Sequence, residues 1–230
     1  MTKISTQLSA VRQRIQAACL RAGRPAEAVT LLAVSKTFGA DAVQEAFAAG
    51  QTAFGENYIQ EAVEKITALR QLPIEWHCIG PIQSNKTRLV AGHFDWVHTV
   101  DRLKIAERLS EQRPADLVPL QVCIQVNVDG GPKKSGVVPA DALALAQTVA
   151  RLRRLRLRGI MCIPEPAPDF EAACAVFKMA SDLFEDLNAQ GLALDTLSMG
   201  MSADLEAAIA SGSTMVRVGS AIFGARIRPA

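Results

Sequence analysis

The sequence predicts an α/β protein: a single closed (β/α)8 TIM barrel with an extra N-terminal helix, one domain spanning residues 1–230. Three observations predict it. Eight short apolar runs alternate with helical patterns. Several of those runs are nearly continuous in apolar character, as parallel strands covered on both faces require. The length of 230 residues lies at the low end for such a barrel and leaves no room for a substantial second domain. An open doubly wound sheet would give the same alternation.

The N-terminal stretch MTKISTQLSAVRQRIQAAC is amphipathic, with charges interrupting every apolar run, so it reads as a first helix and not as a signal peptide. Strands are expected at 29–34 (VTLLAV), 52–56 (TAFGE), 75–80 (EWHCIG), 95–99 (DWVHT), 120–128 (LQVCIQVNV), 157–163 (LRGIMCI), 196–200 (TLSMG) and 215–219 (MVRVG). Between them, a helix starts at Asp41, with Gln44 three residues on as a capping box, and stops at Gly50. Others cover 57–70, 102–112 and 139–154. The longest covers 169–190, where Ala173, Val176, Phe177, Ala180, Phe184 and Leu187 recur at helical spacing before Gly191. A short helix follows the last strand. The segment GGPKKSG, 130–136, is the clearest flexible loop.

Composition excludes several classes of function. A net charge of +2 creates no strong field for nucleic acid or membrane. No apolar stretch reaches the roughly 18 residues a membrane helix needs. The five cysteines (Cys19, Cys78, Cys123, Cys162 and Cys174) are odd in number and scattered, as small core residues in a reducing cytoplasm are. His77, His93 and His98 lack metal-ligand spacing. The basic run from Arg151 to Arg158 has no interleaved aromatics for stacking on bases.

In a barrel, chemistry belongs at the C-terminal ends of the strands. There the sequence places Lys36, Glu56, Asn57, Gly80, Gln83, Asn127, the turn Ser198-Met199-Gly200, and Arg217 to Ser220. Gly219-Ser220 leads into a helix start, which offers backbone N–H groups and a hydroxyl, and Ser198-Met199-Gly200 offers the same kit on the neighbouring strand. Paired turns at strands 7 and 8 are the usual phosphate site of a barrel, although serines also cap tight turns with no ligand present. Arg217 sits inside an apolar strand, where an arginine must be ion-paired or face a polar site. Lys36 ends the first strand, as a solubilising charge or as an amine able to attack a carbonyl. An amine across from a phosphate site suggests a phosphorylated aldehyde held as a Schiff base, and pyridoxal 5′-phosphate (PLP) fits both halves.

The stretches AVSKTFG, FGENYIQEA, WHCIGPIQSNK, KKSG, LRGIMCIP, LSMGMSADLEAAIASGS and VRVGSAIFGAR, spread over 29–226, resemble the YggS/PROSC family of pyridoxal phosphate homeostasis proteins. That family is similar to the barrel domain of alanine racemase, the fold-type III group of PLP proteins. The resemblance implies that Lys36 carries PLP, that Ser198, Gly219 and Ser220 hold its phosphate, and that Arg217 faces the pyridine nitrogen. It implies that Asn57 and Gln83-Ser84-Asn85-Lys86 line the rest of the pocket. Pro81-Ile82 departs from the expected pattern in a loop.

A permanent positive charge at the ring nitrogen disfavours its protonation, which makes the ring a poorer electron sink. Racemases of this type take a second base from a tyrosine in a further domain. This chain is expected to lack one, and its single tyrosine, Tyr58, follows strand 2. The expected function is therefore PLP holding and homeostasis without robust catalysis, in a cytoplasmic monomer that serves PLP-dependent apo-enzymes. A slow amino-acid racemase is the alternative, and an aldolase-like sugar-phosphate enzyme the more distant one. Lys133 and Lys134, spare amines on the 130–136 loop, read either as a transient second contact for PLP or as a solvated basic loop.

Overall fold

The computed structural model describes residues 2–131 and 134–224. Eight parallel strands close in sequence order, β1 (Thr30–Val34), β2 (Ala53–Glu56), β3 (Glu75–Cys78), β4 (Trp96–Val100), β5 (Leu120–Gln125), β6 (Leu155–Met161), β7 (Thr196–Ser198) and β8 (Met215–Val218). Closure comes from β8 pairing with β1, with Leu32 opposite Arg217 and Ala33 opposite Val218. The fold class expected from the sequence is the one observed.

Helices α1 (Lys3–Arg21), α2 (Ala40–Ala48), α3 (Ile59–Ala68), α4 (Thr87–His93), α5 (Leu103–Gln112), α6 (Pro139–Val149), α7 (Phe170–Ala189), α8 (Leu205–Ala210) and α9 (Ser220–Phe223) surround the barrel. Each buries one apolar face on the outward residues of the strands, such as Ala33, Phe54, Val97, Ile124 and Val216. Helix α1 is capped by Thr2, whose hydroxyl accepts from the Ser5 amide, and buries Leu8, Val11 and Ile15. Asp169 caps α7 in the same way, accepting from the Ala172 amide at 2.8 Å.

Several elements depart from expectation. Helices α4 and α8 were not predicted, because two turns or fewer carry too little periodicity to stand out from turn residues. Helix α6 ends at Val149 and not at 154: the amides of Arg151 and Leu152 bond three residues back and tighten the chain toward β6. Helix α2 begins at Ala40 behind Gly39, so Asp41 lies in its first turn and no side-chain capping bond forms. There its charge still favours the helix dipole.

The basic run is used within the fold. Arg154 donates to the Arg113 carbonyl. Arg158 grips Asp195 through three contacts of 2.8–3.0 Å, donates to Gln121, and lies 4.7 Å over the Trp96 ring. All five cysteines are unpaired thiols. Burial pushes Cys78, Cys123 and Cys162 up to about 12, which makes them inert core residues. Among the described residues no helix is long and apolar enough to cross a membrane.

Strand alternation turns the remaining residues inward. Two small apolar clusters, Leu32–Val34–Ala53–Ile79–Met215 and Trp96–Cys123–Met161, stand apart from the outer core. Barrel interiors are ordinarily filled by branched aliphatic side chains. Here His77, His98, Ser198 and Arg217 are buried as well.

Candidate active site at the C-terminal end of the barrel

A cavity of about 350 Å³ opens beyond the ends of β1, β2 and β8. Its wall brings together Lys36, Asn57, Arg217, Gly219 and Ser220, all expected from the sequence, with Ser202 and the apolar Val34, Ile79 and Ile163. Phe38, packed 5.2 Å from Phe223, covers one side. The volume suits a small-molecule ligand.

Lys36 stands on a buried charged platform. The Ser35 hydroxyl donates to Glu56 Oε1 at 2.6 Å. Lys65 Nζ reaches the same oxygen at 2.7 Å, the Ser35 carbonyl at 2.9 Å and Glu61 at 2.6 Å. Glu61 in turn accepts from the Thr37 amide at 2.8 Å. Thr37 is the one non-glycine residue among those described with a positive φ, 69°, a costly conformation for a β-branched side chain. The two residues flanking Lys36 are thus both tied to α3. Burial raises the Glu56 carboxyl, and Lys65 and Ser35 act against that rise. Asn57 is fixed from the neighbouring strand end: a Cβ at Gly80 would lie 2.1 Å from the Asn57 carbonyl oxygen, so only glycine allows this approach.

Across the cavity, Arg217 is 4% exposed. Its Nη1 donates to both the carbonyl and the hydroxyl of Ser198 at 2.8 Å, and Nη2 donates to the Cys162 carbonyl at 2.9 Å. The Ser198 hydroxyl lies 3.0 Å from His98 Nδ1, His98 Nε2 lies 2.9 Å from His77 Nδ1, and His77 Nε2 lies 2.8 Å from Glu75.

The pair His77–His98 escaped sequence reasoning, because contact between positions on adjacent strands depends on barrel register and not on spacing. Burial, then His77 and Arg217, hold His98 well below its ordinary value of 6.5. The unfolded chain therefore binds a proton there that the fold does not. Stability is lost as pH falls below about 6.5, with a slope of up to about 1.4 kcal/mol per pH unit. The hydrogen bond from His77 lowers the Glu75 carboxyl, which adds a loss of the same sign at more acid pH. Thermal melts across this range are expected to show a falling midpoint that His98→Gln flattens; a flat wild-type profile contradicts it.

Other expected site residues lie elsewhere. Ser198 and Met199 are fully buried, and Gly200 is buried at φ 94°; none of the three reaches the cavity wall. Strand β7 stops at Ser198, and the turn at Gly200 carries the chain onward, so Ser202 is the serine that arrives at the pocket. Its hydroxyl lies 3.4 Å from that of Ser220, and its carbonyl accepts from Arg14 of α1, which also pairs with Glu206. The LSMGMS stretch contained this signal without saying which serine faces the cavity.

Gln83 to Lys86 form the turn before α4 and do not line the cavity: the Lys86 amide bonds the Gln83 carbonyl, and Lys86 Nζ bonds Gln60. Tyr58 is half-exposed at the start of α3, outside the cavity wall. Lys134 is not a spare amine: its Nζ is held by Asp129 at 2.6 Å, the Ile163 carbonyl at 3.1 Å and Glu165 at 3.2 Å. Lys133 lies outside the described residues.

The cavity suits a phosphorylated aromatic aldehyde. It offers an amine, two clustered hydroxyls, a guanidinium and apolar walls. Asn57 Oδ1 is buried with no hydrogen-bond partner among the described residues, an acceptor awaiting a donor.

A parallel eightfold barrel with a lysine ending its first strand and an arginine on its last defines a class, and the chain matches the model of the alanine racemase N-terminal domain over residues 6–227. Alanine racemase of Clostridium difficile, 18% identical with a TM-score of 0.71, shares the fold over 99% of this chain and 57% of its own. Much nearer are the pyridoxal phosphate homeostasis proteins of Pseudomonas aeruginosa, 59% identical over 98% of this chain and 97% of that protein, and of Escherichia coli K12, 54% identical over 98% of each. PipY of Synechococcus elongatus, solved with PLP bound, is 39% identical with a TM-score of 0.83, covering 96% of this chain and all of that one. The chain belongs to the pyridoxal phosphate homeostasis protein family.

Proposed function

We propose that this protein binds PLP covalently on Lys36 and takes part in PLP homeostasis as a carrier or buffer. The observation that carries the reading is one cavity holding Lys36 and Arg217 together with the Ser202–Ser220 pair. When bound, PLP supplies an aldehyde that condenses with a primary amine, water leaving, and that can be released by hydrolysis or by exchange with another amine.

The chain's own residues supply the rest. Lys36 is the amine. Ser202, Ser220 and the backbone at Gly219 would hold the phosphate, and Asn57 would accept a hydrogen bond from the ligand. Arg217 would face the ring nitrogen, its fixed charge opposing protonation there. Among the described residues, the cavity wall has no carboxylate, imidazole or phenol to act as a second base beside Lys36. That supports holding over turnover, as do near relatives named for homeostasis and not as enzymes. The same reading places the chain, residues 1–230 as one unit, in the cytoplasm as a monomer that supplies PLP-dependent apo-enzymes.

The test is an absorbance spectrum of purified protein with added PLP, followed by borohydride reduction and peptide mapping. A visible band, with the reduced label on the peptide carrying Lys36, is expected. No band, or a label placed elsewhere, overturns the reading.

A further inference from the structure

We infer that His98 and Ser198 are positioning residues for Arg217, and that the buried chain Glu75–His77–His98–Ser198, crossing the barrel interior, holds that guanidinium at the floor of the cofactor cavity. The inference rests on the reading that Arg217 faces the ring nitrogen of PLP.

With both imidazoles neutral, the direction of the chain follows from its two ends. A guanidinium can only donate and a carboxylate can only accept. Glu75 therefore requires a proton on His77 Nε2, which leaves His77 Nδ1 as an acceptor in the neutral ring. That requires a proton on His98 Nε2, which leaves His98 Nδ1 to accept from the Ser198 hydroxyl. Ser198 gives its one proton away from the cavity, so its lone pairs face Arg217 Nη1. The four contacts, 2.8, 2.9, 3.0 and 2.8 Å, are all hydrogen-bond distances. With neutral rings, no other arrangement satisfies every atom.

The consequence for Arg217 is geometric. Its Nη1 is committed to Ser198, and one N–H of Nη2 to the Cys162 carbonyl. Three of five N–H groups are thereby spent on β7 and the end of β6, which fixes the plane of the guanidinium. His98 never touches the cavity wall, yet it determines that Ser198 is a pure acceptor toward the arginine. His77 and His98 are fully buried, and Trp96 stacks 5.2 Å from His77, so neither ring has room to turn. Glu75, half-exposed at the opposite end of the barrel, sets the polarity of the whole chain.

The test uses full-length protein loaded with PLP labelled with 15N at the ring nitrogen. The readouts are the ring-nitrogen resonance and the dissociation constant for PLP. Arg217→Lys defines the direction in which the resonance moves when the charge is loosened. His98→Leu and Ser198→Ala are expected to move it the same way and to weaken PLP binding by about tenfold, the loss of one well-aligned charge-assisted hydrogen bond. Ser198→Thr, which keeps the hydroxyl, is expected to restore the wild-type resonance. Glu75→Ala, far from the cavity, should give a smaller shift of the same sign, which a purely structural role would not produce. Should His98→Leu fail to fold, Ser198→Ala removes a single oxygen and decides the matter. A folded Ser198→Ala protein with wild-type resonance and affinity overturns the inference. Wild-type protein that takes up no PLP on Lys36 brings down the functional reading first, and the inference with it.

Discussion

Lys65→Met is expected to lower the unfolding free energy by about 3–5 kcal/mol, the cost of stranding a buried charge. Lys65 is 5% exposed and Glu56 1% exposed, so water cannot replace the lost ammonium beside the carboxylate. Glu56 Oε2 already has no partner among the described residues, which leaves the group no reserve. The double variant Glu56→Gln/Lys65→Met removes the orphaned charge and should recover much of the loss. The pH dependence has a definite sign. Burial raises the Glu56 carboxyl in the fold, so its ionisation costs stability as pH rises through that value. Without Lys65 that cost grows, and the gap between variant and wild type is expected to narrow in acid. Denaturant titrations at two pH values measure it; equal gaps, or a gap below about 1 kcal/mol, would show that the platform is not a closed electrostatic unit.

Lys36→Ala is expected to abolish covalent loading completely: no visible band, and no borohydride-stable label. The melting point should change little, because Lys36 is half-buried at a strand end and is not part of the packed core. Residual PLP, held by Ser202, Ser220 and Arg217, should leave on gel filtration. Lys134 offers an internal control. Its amine is held by Asp129 and Glu165, so it should not take over the label. A label on Lys134 in the variant would mean that the loop amine competes for the aldehyde.

The strands were legible because apolar runs such as TLLAV and WVHTV lie between two covered faces, and all eight were found within a few residues. That Lys36, Asn57, Arg217, Gly219 and Ser220 share one cavity wall was legible because side chains at the C-terminal ends of barrel strands converge there. Ser202 was not, since nothing local says that β7 stops at Ser198 and turns at Gly200. Lys65 was hidden for a different reason. A lysine on an amphipathic helix reads as solvent-facing until its carboxylate partner on β2 is placed beneath it. The His77–His98 contact needed the register of β3 against β4, which sets His77 opposite Trp96 and so puts His98, two residues on, on the same face.

Closure of β8 against β1 also bears on biosynthesis. The register sets Leu32 beside Arg217, so the amine of the first strand and the guanidinium of the last become neighbours only through the final pairing. A chain emerging from the ribosome exposes Lys36 long before Arg217, Ser202 or Ser220 exist. Such a nascent chain has a nucleophile but no cradle, and an aldehyde that meets it is held no better than by any surface lysine. On the proposed function, capture of PLP would certify that translation has run through the eighth strand, and a product terminated before it would lack the cradle that holds the cofactor.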